Sequence, residues 1–297
     1  MPAGVAETRG PRPGVVCGGS STNRTADGEK EQHARRGVWR RMDLSVSVLG
    51  LVVGFLVGLT GMGGGALMTP ALILFGLARP AVAVGTDLAW GTLTKAVGAL
   101  VHSRQRTIEY SIVKRLAAGS IPGALAGLVL LAQLHKRSVE AMDQVLVRLL
   151  AVALMFVSLS LFAHSLRRRR SEVGDGPPRQ RGPAWLTSLV GAVIGFLVSL
   201  TSVGSGSLIV ASLVVLYPSI PMRRIVGADI FHALILVGVS ALGHAGIGTI
   251  NPRLLGALLL GSVPGVWAGS KMSVVLPDKI LQPILATALF FLGYKLL

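Results

Sequence analysis

From Leu44 onward the chain alternates long apolar stretches with short polar ones, and the stretches fall into two sets that read alike. A helix needs roughly 20 apolar residues to cross about 30 Å of hydrocarbon. By that measure spans are predicted near residues 44–60, 81–102, 112–134 and 142–165, and again near 184–201, 224–245, 253–275 and 280–297. Between the first and second member of each set lies a shorter apolar piece, 66–78 or 207–217, too short to span comfortably. Backbone that leaves a helix inside lipid must be covered by protein or face a cavity. Gly61 to Leu77 and Ser202 to Leu216 are therefore expected to be re-entrant segments with broken helices.

The two sets share residues as well as pattern. Gly54-Phe55-Leu56-Val57 to Thr60 is matched by Gly195-Phe196-Leu197-Val198 to Thr201, 141 positions on, and each is followed by a Gly-rich run. After a one-residue slip the register holds at 142, pairing Asp87 with Asp229, His102 with His244, and Gly119-Ser120-Ile121-Pro122-Gly123 with Gly261-Ser262-Val263-Pro264-Gly265. The expected fold is an all-α integral membrane protein of two repeats, each of about four transmembrane helices plus a Gly-rich re-entrant segment. That makes eight spans, with ten left open. Gly-interrupted helices at matching positions of two repeats point to a transporter with its site between them.

Composition agrees: 51% of the residues are hydrophobic, 14% are charged and mean hydropathy is +0.65, against about 25% charged in a soluble chain. The formal net charge of +16 sits in two blocks outside the apolar stretches. One is the 1–42 tail, rich in Gly, Pro, Ser, Thr and Arg, which is expected to be disordered and whose Met42 is a candidate true start. The other is the 166–183 linker with Arg167 to Arg170, Arg179 and Arg181; it separates membrane repeat 43–165 from membrane repeat 184–297. Beside spans, such blocks read as cytoplasmic anchors on anionic lipid rather than as nucleic-acid sites. A cytoplasmic tail and a cytoplasmic linker demand an even number of crossings per half, which makes the halves parallel; inverted halves with ten spans stay open because Arg223 and Arg224 then fall on the outer side. The single Cys17 cannot form an intrachain disulfide.

Inside the spans a few ionisable residues stand where each costs about 2.5–3.5 kcal/mol on insertion scales. Asp87 and Lys95 are eight residues apart, two turns along nearly one face. Asp229 and His232 take the matching region of the second half. Read functionally, Lys95 is the counter-charge of an anion, and Asp87, Asp229 and His232 serve in proton coupling or gating; read structurally, Asp87 and Lys95 neutralise each other. His102 and His244, at the ends of equivalent spans, suit helix capping better than a ligand role. A metal set of Asp229, His232 and His244 has suitable residue types but no standard spacing. No cofactor is implied.

The glycines carry a further expectation. Gly61, Gly63, Gly64 and Gly65, like Gly204, Ser205 and Gly206, can leave backbone N–H groups free at the start of a short helix, whose positive dipole end favours an anion. Thr60 and Thr201 stand just before each loop and can add hydroxyl donors. The plainer alternative is that small residues let membrane helices pack closely, which suits the two GSxPG runs better.

At these residues the chain resembles the TauE/SafE family of sulfite exporters and related sulfonate permeases. The likeness runs from Leu44 to the C-terminus without the Arg-rich linker. It is carried by the G-x-G-G-G-x-L-x-x-P run from Gly61 to Pro70, Ala83-Val84-Gly85-Thr86, the polar loop from His102 to Tyr110, and Gly119 to Gly123. Departures are Gly204-Ser205-Gly206 in place of a triple Gly, Ala211 in place of the Pro, and Asp87 where many relatives have Ser. The resemblance implies secondary transport of small sulfur-containing or organic anions.

The resulting expectation is a multi-pass secondary transporter of the cytoplasmic membrane, not an enzyme, moving a small oxyanion by alternating access, with its N-terminus cytoplasmic and homo-oligomerisation open. A passive anion channel shares the same loops and rims. A divalent-metal permease and an intramembrane serine protease built on Ser205 with His232 or His244 are weaker alternatives, since Ser205 matches Gly64 and a nucleophile needs no duplicated cradle.

Overall fold

The computed structural model describes residues 44–60, 64–170, 183–272 and 278–297. The expectations for the 1–42 tail, most of the linker, Gly61 and Gly63 lie outside these residues. The described chain is helical throughout: α1 Leu44–Thr60, α2 Gly65–Leu74, α3 Pro80–Arg104, α4 Tyr110–Arg137, α5 Val139–Arg170, α6 Ala184–Thr201, α7 Ser207–Leu216, α8 Met222–Ile247, α9 Pro252–Met272 and α10 Asp278–Leu296. Four of them, α4, α5, α6 and α8, are long and apolar enough to cross a bilayer by length and composition. Many large apolar side chains face outward, among them Val97, Phe156, Leu159, Leu242, Leu260 and Phe291, as expected where the solvent is lipid rather than water.

Local chemistry sets the boundaries. Pro80 and Pro252 open α3 and α9 at the position where a missing N–H is harmless, and the Asn251 carboxamide oxygen accepts the N–H groups of Arg253 and Leu254 to cap α9. Gly248, at φ 81°, ends α8. His102 and His244 close their helices by the same device, each Nδ1 lying 2.8 Å from the hydroxyl of a threonine five residues on, Thr107 or Thr249.

Two glycine-lined seams hold the bundle. In one, Gly50, Gly54 and Gly58 of α1 face the Leu258, Ser262 and Val266 backbone of α9, while Gly261, Gly265 and Gly269 face Ser47, Leu51 and Phe55 in return. In the other, Gly119, Gly123 and Gly127 of α4 meet Ser188, Ala192 and Phe196 of α6. A side chain at most of these positions would fall on backbone atoms of the partner helix, so small residues permit an approach that larger ones forbid. Hydrogen bonds follow the same plan: Ser47 Oγ donates to the Ala257 carbonyl at 3.0 Å in the first seam, and Ser188 Oγ to the Arg115 carbonyl at 2.9 Å in the second. The last helices of the two halves, α5 and α10, pack on each other and are joined where Ser158 Oγ donates to the Ala286 carbonyl at 2.6 Å.

Helix directions follow from these pairings. Partners ascend together in both seams, so α1 runs parallel to α9 and α4 to α6. Between α3 and α8, Gly91 faces Val237 and Gly98 faces Ile230, so these two run antiparallel. Parallel halves require matching helices to point the same way, and α3 and α8 do not. Nor do α1 and α6: short loops join α3 to α4 and α8 to α9, so α1, α3 and α9 share one direction and α4, α6 and α8 the other. Since α1 and α3 point the same way, the segment containing α2 must return the chain to the face it left.

Candidate functional site

The two broken segments meet in the interior. α6 stops at Ser202, held at φ 60°, and Gly204 follows at φ 97°, a left-handed conformation that glycine adopts without strain. These two residues turn the chain so that α7 can start at Ser207 pointing its first turn inward. On the other side, Gly65 at the start of α2 lies so close to Ser202 that a Cβ there would fall on the Ser202 carbonyl. A small hollow opens between the breaks. Thr60, Ala66 and Leu67 line it from the first half, Ser202 and Gly204 to Ser207 from the second, and Val157, Leu285 and Leu289 of α5 and α10 supply an apolar wall. The first turns of α2 and α7 thus both border one space, the end of a helix that favours negative charge.

Lys95 of α3 does not line the hollow but is tied to its wall, its Nζ donating to the carbonyl of the lining residue Ser205 at 3.0 Å. Among the described residues it makes no ion pair within 4.0 Å, unlike Arg79 with Asp143 and Arg224 with Glu109 outside the interior. Asp87 therefore does not neutralise Lys95 by contact. Its Oδ2 instead accepts a hydrogen bond from Thr69 of α2 at 2.6 Å, with Ser202 beside it, while Oδ1 is buried without a partner. Asp229 also keeps a buried, unpartnered Oδ1. His232 Nε2 lies 2.7 Å from Ser120 Oγ of α4, and its Nδ1 is unpartnered.

Placed against the sequence expectations, Thr60, Gly204, Ser205 and Gly206 border the hollow and Lys95 is tied to it. Gly65 packs on Ser202 and Gly64 on the ring of Trp90, so both serve the approach of protein to protein rather than lining the space. Thr201 turns back on its own helix, donating to the Leu197 carbonyl and accepting from the Val203 N–H. The proposed metal trio is not assembled, because both nitrogens of His244 are engaged, by Thr249 and by the Ser199 carbonyl, and among the described residues no three His, Cys, Asp or Glu side chains gather. Sequence reasoning missed Ser202, Ala66 and Leu67 as lining residues and Thr69 as the partner of Asp87; the G-x-L-x-x-P run contains three of these four, but nothing in it says which side faces inward.

Residues 46–296 match the family described as Sulfite exporter TauE/SafE. The chain belongs to this family. Among curated TauE/SafE relatives, "Probable membrane transporter protein YjnA" of Bacillus subtilis (strain 168) is 40% identical over 259 residues, covering 86% of this chain and 100% of the relative. "Probable membrane transporter protein YunE" of the same organism is 27% identical over 266 residues, covering 84% and 95%. No solved structure matches the chain. Family and helices together make it a multi-pass membrane transporter protein.

Proposed function

We propose that this member of the TauE/SafE family is a secondary transporter of the cytoplasmic membrane, carrying a small oxyanion such as sulfite or a sulfonate by alternating access. The anion binds in the hollow between the first turns of α2 and α7, with Lys95 as its counter-charge. The observation that carries this reading is the convergence of two helix starts on a single space, with one cation bonded to a residue of its wall. Free N–H groups and aligned peptide dipoles hold an oxyanion with little formal charge, and a single lysine avoids the over-tight binding that would trap a cargo.

In the same reading the chain is two inverted copies of one unit, each with five transits when α2 is counted as the return limb. Antiparallel α3 and α8 support inversion, and so does the recurrence of contacts: Trp90 Nε1 donates to Ser262 Oγ at 2.7 Å, as His232 pairs with Ser120, each member 142 positions from its counterpart. Inverted repeats around a midplane site can exchange conformations, which opens the site to each side in turn. Flux of sulfite, sulfate, methanesulfonate and small carboxylates in proteoliposomes tests the assignment. Saturable uptake of at least one sulfur oxyanion is expected; no flux of any of them removes it.

A further inference from the structure

Resting on that reading, we propose that Asp229 is the proton-coupling carboxyl of this transporter: an anion that takes Lys95 as its counter-charge leaves Asp229 without one, Asp229 binds a proton, and anion and proton cross together.

The seam between α3 and α8 buries two carboxyls, at 1% exposure for Asp87 and 4% for Asp229, around one lysine. Lys95 interacts electrostatically with both. With all three ionised the seam carries one net negative charge, and an anion in the hollow makes it two. Uncompensated charge in a low-dielectric interior is strongly disfavoured, and a carboxylate that loses its partner neutralises instead.

The two carboxyls are not equivalent. Asp87 keeps the Thr69 hydroxyl, whichever way Lys95 turns. At the position of Thr69 in the second half stands Val210, which has no hydroxyl to give. Lys95 is the charge that acts on Asp229, whose Oδ1 is buried without a partner. The other elements packed on α8 offer no substitute: α6 and α7 carry no charged side chain, and Lys114 and Arg115 lie at the start of α4, Arg115 turned to the Tyr217 hydroxyl at 3.2 Å.

Position supports the same choice. Gly98, three residues after Lys95, faces Ile230, the neighbour of Asp229, so Asp229 sits about one turn beyond Lys95 toward the linker face and Asp87 two turns before it. His232 follows Asp229 by three residues, on the same side of α8, and its buried Nδ1 has no partner. That nitrogen, one turn along α8 from Asp229, is the candidate relay for the proton, while Ser120 fixes the ring through Nε2.

The test uses the full chain in proteoliposomes with methanesulfonate, whose single charge does not titrate near neutral pH, and an internal pH dye. In the wild type, methanesulfonate entry should acidify the lumen by about one proton per anion and respond to a pH gradient but not to a potassium–valinomycin potential. Methanesulfonate flux that follows the potential and moves no protons overturns the coupling while leaving the transport reading intact; absence of any anion flux overturns both. In Asp229→Asn, protons moved per anion should fall at least tenfold while anion exchange continues at a reduced rate. Asp229→Glu should restore coupling with a displaced pH profile, which a packing role would not produce. Coupling that persists in Asp229→Asn, or that vanishes only in Asp87→Asn, overturns the assignment.

Discussion

Gly64 illustrates how one missing side chain can be read two ways. From the sequence it belongs to a cradle for an anion, where a Cβ would block the ligand. In the structure a Cβ at Gly64 falls on the six-membered ring of Trp90, whose Nε1 is held by Ser262. The neighbour that objects is protein. Gly64→Val should therefore fail to give a stably folded protein in detergent, and a second change, Trp90→Leu, should recover part of the loss of thermal stability by vacating the space. If Gly64→Val folds normally and loses only transport, the glycine serves the anion and not the tryptophan.

At the scale of elements, the seams decide stability. Gly123 of α4 lies against the Ala192 backbone of α6, atoms that cannot swing away as a side chain can. Gly123→Leu is expected to cost at least the 1–3 kcal/mol typical of overpacking, seen as a lowered melting temperature in detergent, whereas Leu125→Ala on the outward face should change it little. The sequence made most of these elements legible. Apolar stretches and Gly-rich breaks gave the long helices and the two short ones to within a few residues, since α2 and α7 need only a break, an apolar run and a polar stop. The site was half legible: Gly204 to Gly206 announce a break by composition, and Lys95 by its cost in lipid. Thr69 and Ser202 were hidden because their roles arise from a contact between distant segments. A threonine inside an apolar run looks the same whether it faces lipid or a buried carboxylate.

For the whole molecule, helix direction was the property that the sequence left open between parallel and inverted halves. Counting basic residues assumed that the tail and the Arg-rich linker share a face, and that α2 does not carry the chain back. Because α1 and α6 run opposite ways, the start of α1 and the start of α6 lie on opposite faces. Impermeant-reagent labelling of single epitopes placed before Leu44 and before Ala184 should report opposite sides in intact vesicles; labelling from one side would contradict the helix directions. The central claim is that the first turns of α2 and α7 grip one anion between them. With Cys17 replaced by Ser, Ala66→Cys and Ser207→Cys should each react with a small anionic thiosulfonate reagent, and methanesulfonate should protect both sites with the same half-saturating concentration. Protection of neither, or of one alone, would contradict it.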